Sequence, residues 1–366
     1  MMMLAGAKAE VATDLVATLN HEGGLKAFYG QSALSSAYTA ATDGDVITLS
    51  AGTFYCPKIE KNITLRGVGA WTDLSTGNRI TYVQSATGSS ISIKLQNNDY
   101  EFLAEGIYFV SSVSVTSDYQ KECTFSKTYF GGMYSGDQWD RSSRSVFFGN
   151  AVYAKVQHCV ARYVIDIYKG ICSNCVFPNV YAYSGSAPIV LQNCVLSAFC
   201  YNQSSNSVWN FSEDILSNCI LIGSYTYSNK LQYLASSNDV HNCAYFSING
   251  EVNDIFKNIA NNSNMIVEDR DNFFKNASLV TKKVSGDVTT YTVSTENLGT
   301  DCASGLYELS DDAKQLYKGN DGTVVGVWGG TTPFDFVPNN PRLSKCEIVP
   351  RVGDDGKLNI TIEVAQ

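Results

Sequence analysis

The sequence predicts an all-β solenoid, in which short strands stack on one another along a single axis. The main observation is a recurring pattern of a polar residue, a cysteine and apolar residues, at uneven steps along the chain. The intervals hold β-branched and aromatic residues, Ser, Asn and Gly, which favour strands and turns over the long helices of helical repeats. The copies are KECTF (121–125), QHCVA (157–161), SNCVF (173–177), QNCVL (192–196), SNCIL (217–221) and HNCAY (241–245).

Composition and charge narrow the classes of function. A chain that is 44% hydrophobic and 17% charged is expected to fold rather than to remain disordered. The net charge of −9, with no basic patch, argues against nucleic acid as a partner. No apolar stretch approaches the length of about 18 residues that a membrane-spanning helix needs, so no membrane span is expected.

The N-terminal region is expected to be a cap. Residues 1–9 contain the small-x-small segment Ala7-Lys8-Ala9 and are interpreted as the remnant of an export signal, or else as an ordinary frayed terminus. Residues 10–43 form the predicted cap with a short helix, since one apolar stripe there follows helical spacing. Its members are Leu34, Ala37, Tyr38 and Ala41.

The repeated residues are expected to form two structural ladders. Stacked strands place the same residue type at the same position in successive turns, and a cysteine there serves as a small apolar filler. The asparagine before it suits a tight turn, where its amide can bond to the backbone of neighbouring turns. The predicted ladder residues are Cys123, Cys159, Cys175, Cys194, Cys219 and Cys243, with Asn174, Asn193, Asn218 and Asn242.

These Asn-Cys repeats resemble right-handed parallel β-helix proteins of the pectate-lyase-like kind. The segment 29–55 is similar to the entry of such folds, and the segment 306–341 is similar to the closing part of secreted β-helix proteins of gut Bacteroidetes. The resemblance implies a single-stranded right-handed parallel β-helix over 44–285 and a location outside the cell or on its outer surface. The remaining residues, 286–366, are expected to form a C-terminal module, with a β-hairpin around Asp355-Gly356.

The resemblance includes polysaccharide lyases and glycoside hydrolases, but the sequence favours no catalysis. The carboxylate motifs of such hydrolases are absent, and Asp166 or Glu213-Asp214 are the acids that would have to supply a non-standard site. A calcium-dependent lyase would need clustered carboxylates, so Ca²⁺ is expected only if the protein is a lyase. Otherwise no cofactor is expected. With only three histidines in the chain, Cys172 and Cys175 make a poor metal site.

The best candidate for a ligand site is the segment YFGGMYSGDQWDRSSR (129–144). Tyr134, Trp139 and Arg144 are expected to bind a glycan by stacking and by hydrogen bonds. The alternative is a long loop with ordinary salt bridges. Within the same loop, the candidates for catalysis are Asp137, Asp140 and Arg141.

The strands after the repeat cysteines are apolar on both faces. We therefore expect an outward apolar strip that is covered by loops, by the C-terminal module or by a protein partner. Three functions remain open: carbohydrate binding or adhesion without catalysis, a structural or interaction module, and a polysaccharide-cleaving enzyme. The members of the apolar strip are Thr124, Val160, Val176, Val195, Ile220 and Ala244, each with the residue that follows it.

Overall fold

The protein is built mainly from strands, and most of them belong to three sheets, named A, B and C below. This confirms the predicted all-β class. The computed structural model describes residues 15–71, 80–88, 90–132, 144–178, 180–182, 187–197, 214–223, 226–227, 230–231, 238–248, 254–294, 305, 307–338, 342–348 and 360–365.

Sheet A begins with an antiparallel hairpin and continues as a parallel sheet. The hairpin strands β1 and β2 lie at its N-terminal edge, where β1 also pairs with β3, and every later pairing is parallel. The strands are β1 (Val16–His21), β2 (Gly24–Tyr29), β3 (Val46–Leu49), β5 (Thr64–Arg66), β8 (Phe102–Glu105), β11 (Lys121–Ser126), β14 (Val152–Gln157), β17 (Gly170–Ser173), β20 (Ile189–Gln192), β22 (Ile215–Ser217) and β26 (Asp239–His241).

Sheets B and C are parallel throughout the part of the chain that the structure describes. Sheet B contains β4 (Gly52–Cys56), β6 (Thr81–Ser85), β9 (Tyr108–Phe109), β12 (Tyr129–Phe130), β15 (Val160–Ala161), β18 (Val176–Phe177), β21 (Val195–Leu196), β23 (Ile220–Gly223), β27 (Ala244–Ser247) and β28 (Met265–Ile266). Sheet C contains β7 (Ser90–Leu95), β10 (Ser112–Ser117), β13 (Arg144–Phe148), β16 (Val164–Ile167) and β19 (Val180–Ala182).

Successive strands of the chain join the three sheets in a repeating order. From β5 to β19 it passes through A, then B, then C, five times in succession, and each pass adds one strand to each sheet. Short strands of this kind cannot bury an apolar face alone, so each pass depends on the neighbouring passes for its stability.

One apolar core lies between the three sheets. Phe125 of sheet A shows how it is shared, since its ring contacts rings from sheets B and C. Its centroid lies 5.3 Å from that of Phe130 in sheet B and 5.7 Å from that of Phe148 in sheet C. Inward-facing residues alternate with outward ones along each strand, as the two-residue period of a strand requires.

A helix lies where the apolar stripe predicts one. Helix α1 (Ala33–Ala40) buries Leu34 and Ala37 and packs against β1 to β4. The hairpin β1–β2 before it was not predicted. By pairing antiparallel with β3, it occupies the edge that the first parallel strand of sheet A would otherwise leave open to other chains.

The hairpin is tied to the first parallel turn by a histidine–aspartate pair. His21 Nδ1 lies 2.9 Å from Asp45 Oδ1, and the carboxylate also accepts the backbone N–H of Thr42 at 2.6 Å. Burial of Asp45 by itself would raise the pKa of that carboxyl, but the hydrogen bonds from Thr42 and His21 outweigh burial and lower it. The hydrogen bond to Asp45, and then its charge, raise the pKa of His21.

We therefore predict that His21 titrates above the ordinary histidine value of about 6.5. Because its pKa is raised on folding, its contribution to stability is complete below the pKa of the unfolded chain and is lost as the pH rises through the folded pKa. An NMR titration of the His21 ring measures this. In the Asp45→Asn variant the midpoint should fall back toward the ordinary value, and a wild-type midpoint at or below that value would contradict the pairing.

The C-terminal region differs from the predicted boundary. The parallel strands end at Ile266, and the expected boundary between 285 and 286 falls inside the turn of an antiparallel hairpin. The physical reason is that this hairpin pairs only with itself and extends none of the three parallel sheets. It consists of β29 (Val280–Ser285) and β30 (Val288–Val293), and it follows a short 3₁₀ helix (Ala277–Leu279).

The remaining elements are short. Helix α2 (Asp311–Leu316) begins after Ser310, whose side chain accepts the N–H of Ala313. Among the described residues, neither helix has the length and apolar character needed to cross a bilayer. Two more antiparallel pairs complete the fold: β24 (Thr226–Tyr227) with β25 (Lys230–Leu231), and β31 (Arg342–Ile348) with β32 (Ile360–Ala365). The second pair lies where the C-terminal hairpin was predicted.

Candidate functional site

A groove of about 440 Å³ lies on the outer face of sheet C, and we call it the serine groove. Among the described residues, strands β7, β10 and β13 supply its walls. It combines hydroxyl groups, one guanidinium group and one aromatic ring. The lining residues are Ser90, Ser92, Ser112, Val113, Ser114, Arg144, Val146 and Phe147.

The serine rows follow from alternation along two neighbouring strands. In β7, the buried Ile91 and Ile93 alternate with serines on the opposite face, and β10 repeats this pattern with valines. The parallel register pairs Ser90 with Ser112 and Ser92 with Ser114. Since neighbouring strands lie about 4.8 Å apart, the hydroxyls form two short rows across the sheet.

Arg144 enters the groove from β13 and is held by a buried carboxylate. Its Nη1 donates to Asp166 Oδ2 at 2.5 Å, and the Asp166 side chain, on β16, is only 4% exposed. The guanidinium lies over the Phe147 ring, 5.5 Å from its centroid. A register shift between Arg144 and Val146 marks a β-bulge at this point, a device that re-aims side chains at functional sites.

The arrangement suits hydrogen bonding to a ligand rich in hydroxyl groups. Serine hydroxyls both donate and accept, the guanidinium donates, and the Phe147 ring offers an apolar face. Bond cleavage by two carboxylates would need two acids, and the lining residues that the structure describes contain none. Asp166 is already bonded to Arg144, and Asp214 accepts the N–H of Ile189, so each has a structural partner.

The predicted loop meets the groove at one end. The segment begins in sheet B at Tyr129, and its described part there ends at Gly132. Its last residue, Arg144, lines the groove. The expected contact residues Tyr134 and Trp139, and the catalytic candidates Asp137, Asp140 and Arg141, lie outside the described residues. Of this predicted site, the structure therefore describes Arg144.

The predicted asparagine ladder lies at the turns that join sheet A to sheet B. From the turn after β8 onward, the residue at each of these turns has a φ between 50° and 65°, in the left-handed region. Asparagine and glycine tolerate this region better than other residues. We call these residues the turn ladder: Gly106, Lys127, His158, Asn174, Asn193, Asn218 and Asn242.

Two of the asparagine amides, those of Asn174 and Asn218, bond to the C-terminal segment 307–338, which we call the strap. Asn174 Nδ2 donates to the carbonyls of Val327 at 2.9 Å and Gly329 at 2.8 Å, and Asn218 Nδ2 donates to Asn320 Oδ1 at 3.2 Å. The expected bonds from these two side chains to neighbouring turns are therefore replaced by bonds to the strap.

The repeat cysteines lie directly after the turn ladder, with one correction. Cys123 lies in the middle of β11, where it pairs with Ala154 of sheet A. It is therefore not equivalent to Cys159, which follows the turn at His158. In the preceding pass, the turn equivalent to His158-Cys159 is Lys127-Thr128, because Tyr129 pairs with Val160. The segment KECTF matches the repeat in amino-acid sequence but not in strand register. The step from Cys123 to Cys159 therefore contains one pass through the three sheets.

The thiols are buried and free. All eight cysteines whose side chains the structure describes are free, since none of them forms a disulfide. The cysteines after the turns bond to one another and to the backbone, as in the N–H of Cys159 to Cys175 Sγ at 3.4 Å. Burial raises the pKa of the Cys175 and Cys194 thiols and raises that of Cys56 to about 12, so these thiols stay protonated and unreactive.

The apolar strip is covered by the chain itself. Val160, Val176, Val195 and Ile220 are at most 1% exposed, which confirms the prediction that this face is not open to water. The same buried cluster contains Val325, Val327 and Phe334 of the strap. Of the coverings that the sequence left open, the described residues show the C-terminal module, because the strap packs on the strip.

The serine groove itself was missed from the sequence. The alternating segments SSISI (89–93) and SVSV (112–115) carried the signal, since each places serines on one face of a strand. Comparison of the chain with models of protein families, with curated proteins and with solved structures finds no match. Function must therefore be argued from the geometry.

Proposed function

We propose that the protein binds a carbohydrate chain in the serine groove without cleaving it. The observation that supports this proposal best is the combination of two serine rows with Arg144, which Asp166 holds in one orientation. Groups held in advance lose less entropy when a ligand binds. Rows of hydroxyls along a sheet also match the repeated hydroxyls of an extended glycan.

The proposal includes the finer architecture. We propose that the passes through sheets A, B and C form a closed right-handed parallel β-helix, of the kind that pectate-lyase-like proteins have. The repeated strand order and the core shared by all three sheets support it. A location outside the cell or on its outer surface, as the resemblance implies, would give the groove access to glycans.

The test is a binding panel with the full-length protein. Uronate-containing and neutral polysaccharides would be presented with and without Ca²⁺, and both retained protein and released fragments would be measured by mass. Retention without fragments is the expected result. Fragments with an unsaturated end would instead indicate a lyase, and fragments that have gained water a hydrolase. Neither retention nor fragments would leave a structural module as the better account.

We predict that removing Arg144 weakens glycan retention roughly ten- to hundredfold, because hydrogen bonds from charged groups contribute about 1.5–3 kcal/mol. Arg144→Ala alone would leave Asp166 buried without its partner and could unfold the protein. The double variant Arg144→Met with Asp166→Leu avoids that charge, and Ser92→Ala with Ser114→Ala tests the hydroxyl row independently. Affinity is measured by titration calorimetry with the retained glycan.

The chain offers a matched control for this prediction. Arg66 on sheet A is also an arginine beside a buried carboxylate, with its Nε 3.7 Å from Glu105 Oε2. The double variant Arg66→Met with Glu105→Leu should bind glycan as the wild type does. Equal losses in the Arg66 and Arg144 variants would show that the groove is not the site.

A further inference from the structure

The end of the strap is held by two positions of the turn ladder. Lys127 Nζ donates to Asp335 Oδ2 at 2.7 Å and to the carbonyl of Val337 at 2.6 Å. The N–H of Asp335 donates to His158 Nδ1 at 3.1 Å. Strap residues 334–338 are thus fixed to two successive turns between sheets A and B.

The bond from Asp335 requires a neutral histidine. A backbone N–H can only donate, so Nδ1 of His158 must be without a proton in this arrangement. A protonated ring carries an N–H at both nitrogens, and two donors would then face each other. Protonation of His158 is therefore incompatible with this contact.

The charges around His158 make its protonation costly in the folded state. Two charged groups face the ring: the ammonium of Lys127 and the carboxylate of Asp335. The Lys127 side chain is only 7% exposed, so the imidazolium would lie beside a buried cation. Burial and Lys127 lower the pKa of His158, and the opposing effect of Asp335 is smaller.

His158 also occupies a position where the chain elsewhere uses asparagine. The next four members of the turn ladder, Asn174, Asn193, Asn218 and Asn242, have φ between 50° and 55°, and His158 has 52°. Histidine is less suited than asparagine to cap this conformation, but it can titrate near neutral pH.

We propose that strap residues 334–338 form an acid-opened latch, in which protonation of His158 releases the latch from the turn ladder and uncovers Trp71. The Trp71 ring lies against two rings of the latch, with centroid distances of 5.9 Å to Phe334 and 6.3 Å to Phe336. It is only 2% exposed while the latch is closed.

The direction of the effect follows from linkage. Since the pKa of His158 is lowered in the closed state, closure releases a proton. The contribution of this contact is complete above the open-state pKa of about 6.5. It is lost as the pH falls through the closed-state pKa. Between the closed-state and open-state pKa values, one proton can shift the closed-to-open ratio by up to about tenfold per pH unit.

Hydrogen exchange of the full-length protein tests the latch between about pH 8 and pH 5. Rates are corrected for the intrinsic pH dependence of exchange, and NMR follows the His158 ring in the same samples. The protection factors of the Asp335 and Val337 amides should fall as His158 titrates, by up to about tenfold per pH unit. Amides of sheet A should keep theirs, and tryptophan emission should shift to the red as Trp71 is uncovered.

His158→Asn is the matched variant, because it installs the residue that the other turns already use. Protection of the latch amides in this variant should not change over the same pH range. An equal loss in the variant and the wild type would overturn the proposal, as would unchanged protection of the wild type while its His158 titrates. Loss of protection over the whole chain at once would also overturn it, since that is global unfolding.

Discussion

Replacing Phe125 by alanine is expected to lower the free energy of unfolding by about 3–5 kcal/mol, the range of large aromatic deletions in cores. Phe125 is fully buried and contacts aromatic rings from all three sheets. Its removal leaves a cavity that the flat parallel strands around it cannot readily close. The rings around it are Phe102, Phe109, Phe130 and Phe148, with centroids 5.3 to 6.1 Å away.

Chemical denaturation followed by circular dichroism measures this loss. The midpoint should fall while the slope with denaturant stays close to the wild-type value, because the surface exposed on unfolding is nearly unchanged. Tyr119→Ala is the control, since that ring is 52% exposed and should contribute little. A loss for Phe125→Ala no larger than that control would mean that the three sheets do not share one core.

Replacing Asn174 by alanine is expected to cost about 2–5 kcal/mol through two separate effects. Alanine in the left-handed region costs about 1–2 kcal/mol relative to a tolerant residue. The two hydrogen bonds to the carbonyls of Val327 and Gly329 are also lost, at about 0.5–1.5 kcal/mol each. Asn174→Gly removes only the hydrogen bonds, because glycine accepts the same backbone conformation.

Asn242 provides the comparison within the same ladder. It has the same backbone conformation, but its amide oxygen accepts from Ser263, outside the strap. The difference between alanine and glycine, measured by denaturation, should be similar at both sites, whereas glycine should be more costly at Asn174 than at Asn242. If glycine costs the same at both positions, the strap gains no stability from the turn ladder.

The sequence predicted well those features that depend on neighbours along the chain. The asparagine before four of the repeat cysteines indicated a turn, because asparagine tolerates the left-handed region, and each such turn is present at Asn174, Asn193, Asn218 and Asn242. The apolar residues on both faces after the cysteines predicted a covered strip, because exposed apolar surface of that extent is rare. The stripe from Leu34 to Ala41 likewise predicted helix α1.

Register between distant strands could not be predicted in the same way. Cys123 carries the repeat pattern in letters, yet it lies inside β11, while Lys127 holds the equivalent turn without any asparagine or cysteine. Lys127 and the asparagines of the later turns differ in chemistry but occupy equivalent positions, because the backbone conformation, and not the side chain, defines this position. The hairpin β1–β2 was not predicted for a similar reason, since it covers the edge of β3 and this contact forms only in the folded protein.

In the candidate site, too, local features could be predicted from the sequence, whereas contacts between strands could not. Serines on one face of β7 and of β10 can be read from alternation alone, but their pairing across the sheet depends on register. From the sequence, Arg144 was predicted to bind the ligand, and Asp166 was a candidate acid for a non-standard catalytic site. Their ion pair joins neighbouring strands of sheet C and changes the role of Asp166 from acid to anchor.

Local sequence patterns were enough to predict the all-β class, the turns marked by asparagine and the inward and outward sides of the strands. These are consequences of local backbone preference and of a two-residue period. The packing of distant segments was needed to establish where the asparagine amides bond, what covers the apolar strip and which hydroxyls share a groove. Asn174 and Val327 are 153 residues apart, and no local preference can specify a contact that exists only after both segments have packed against the same sheets.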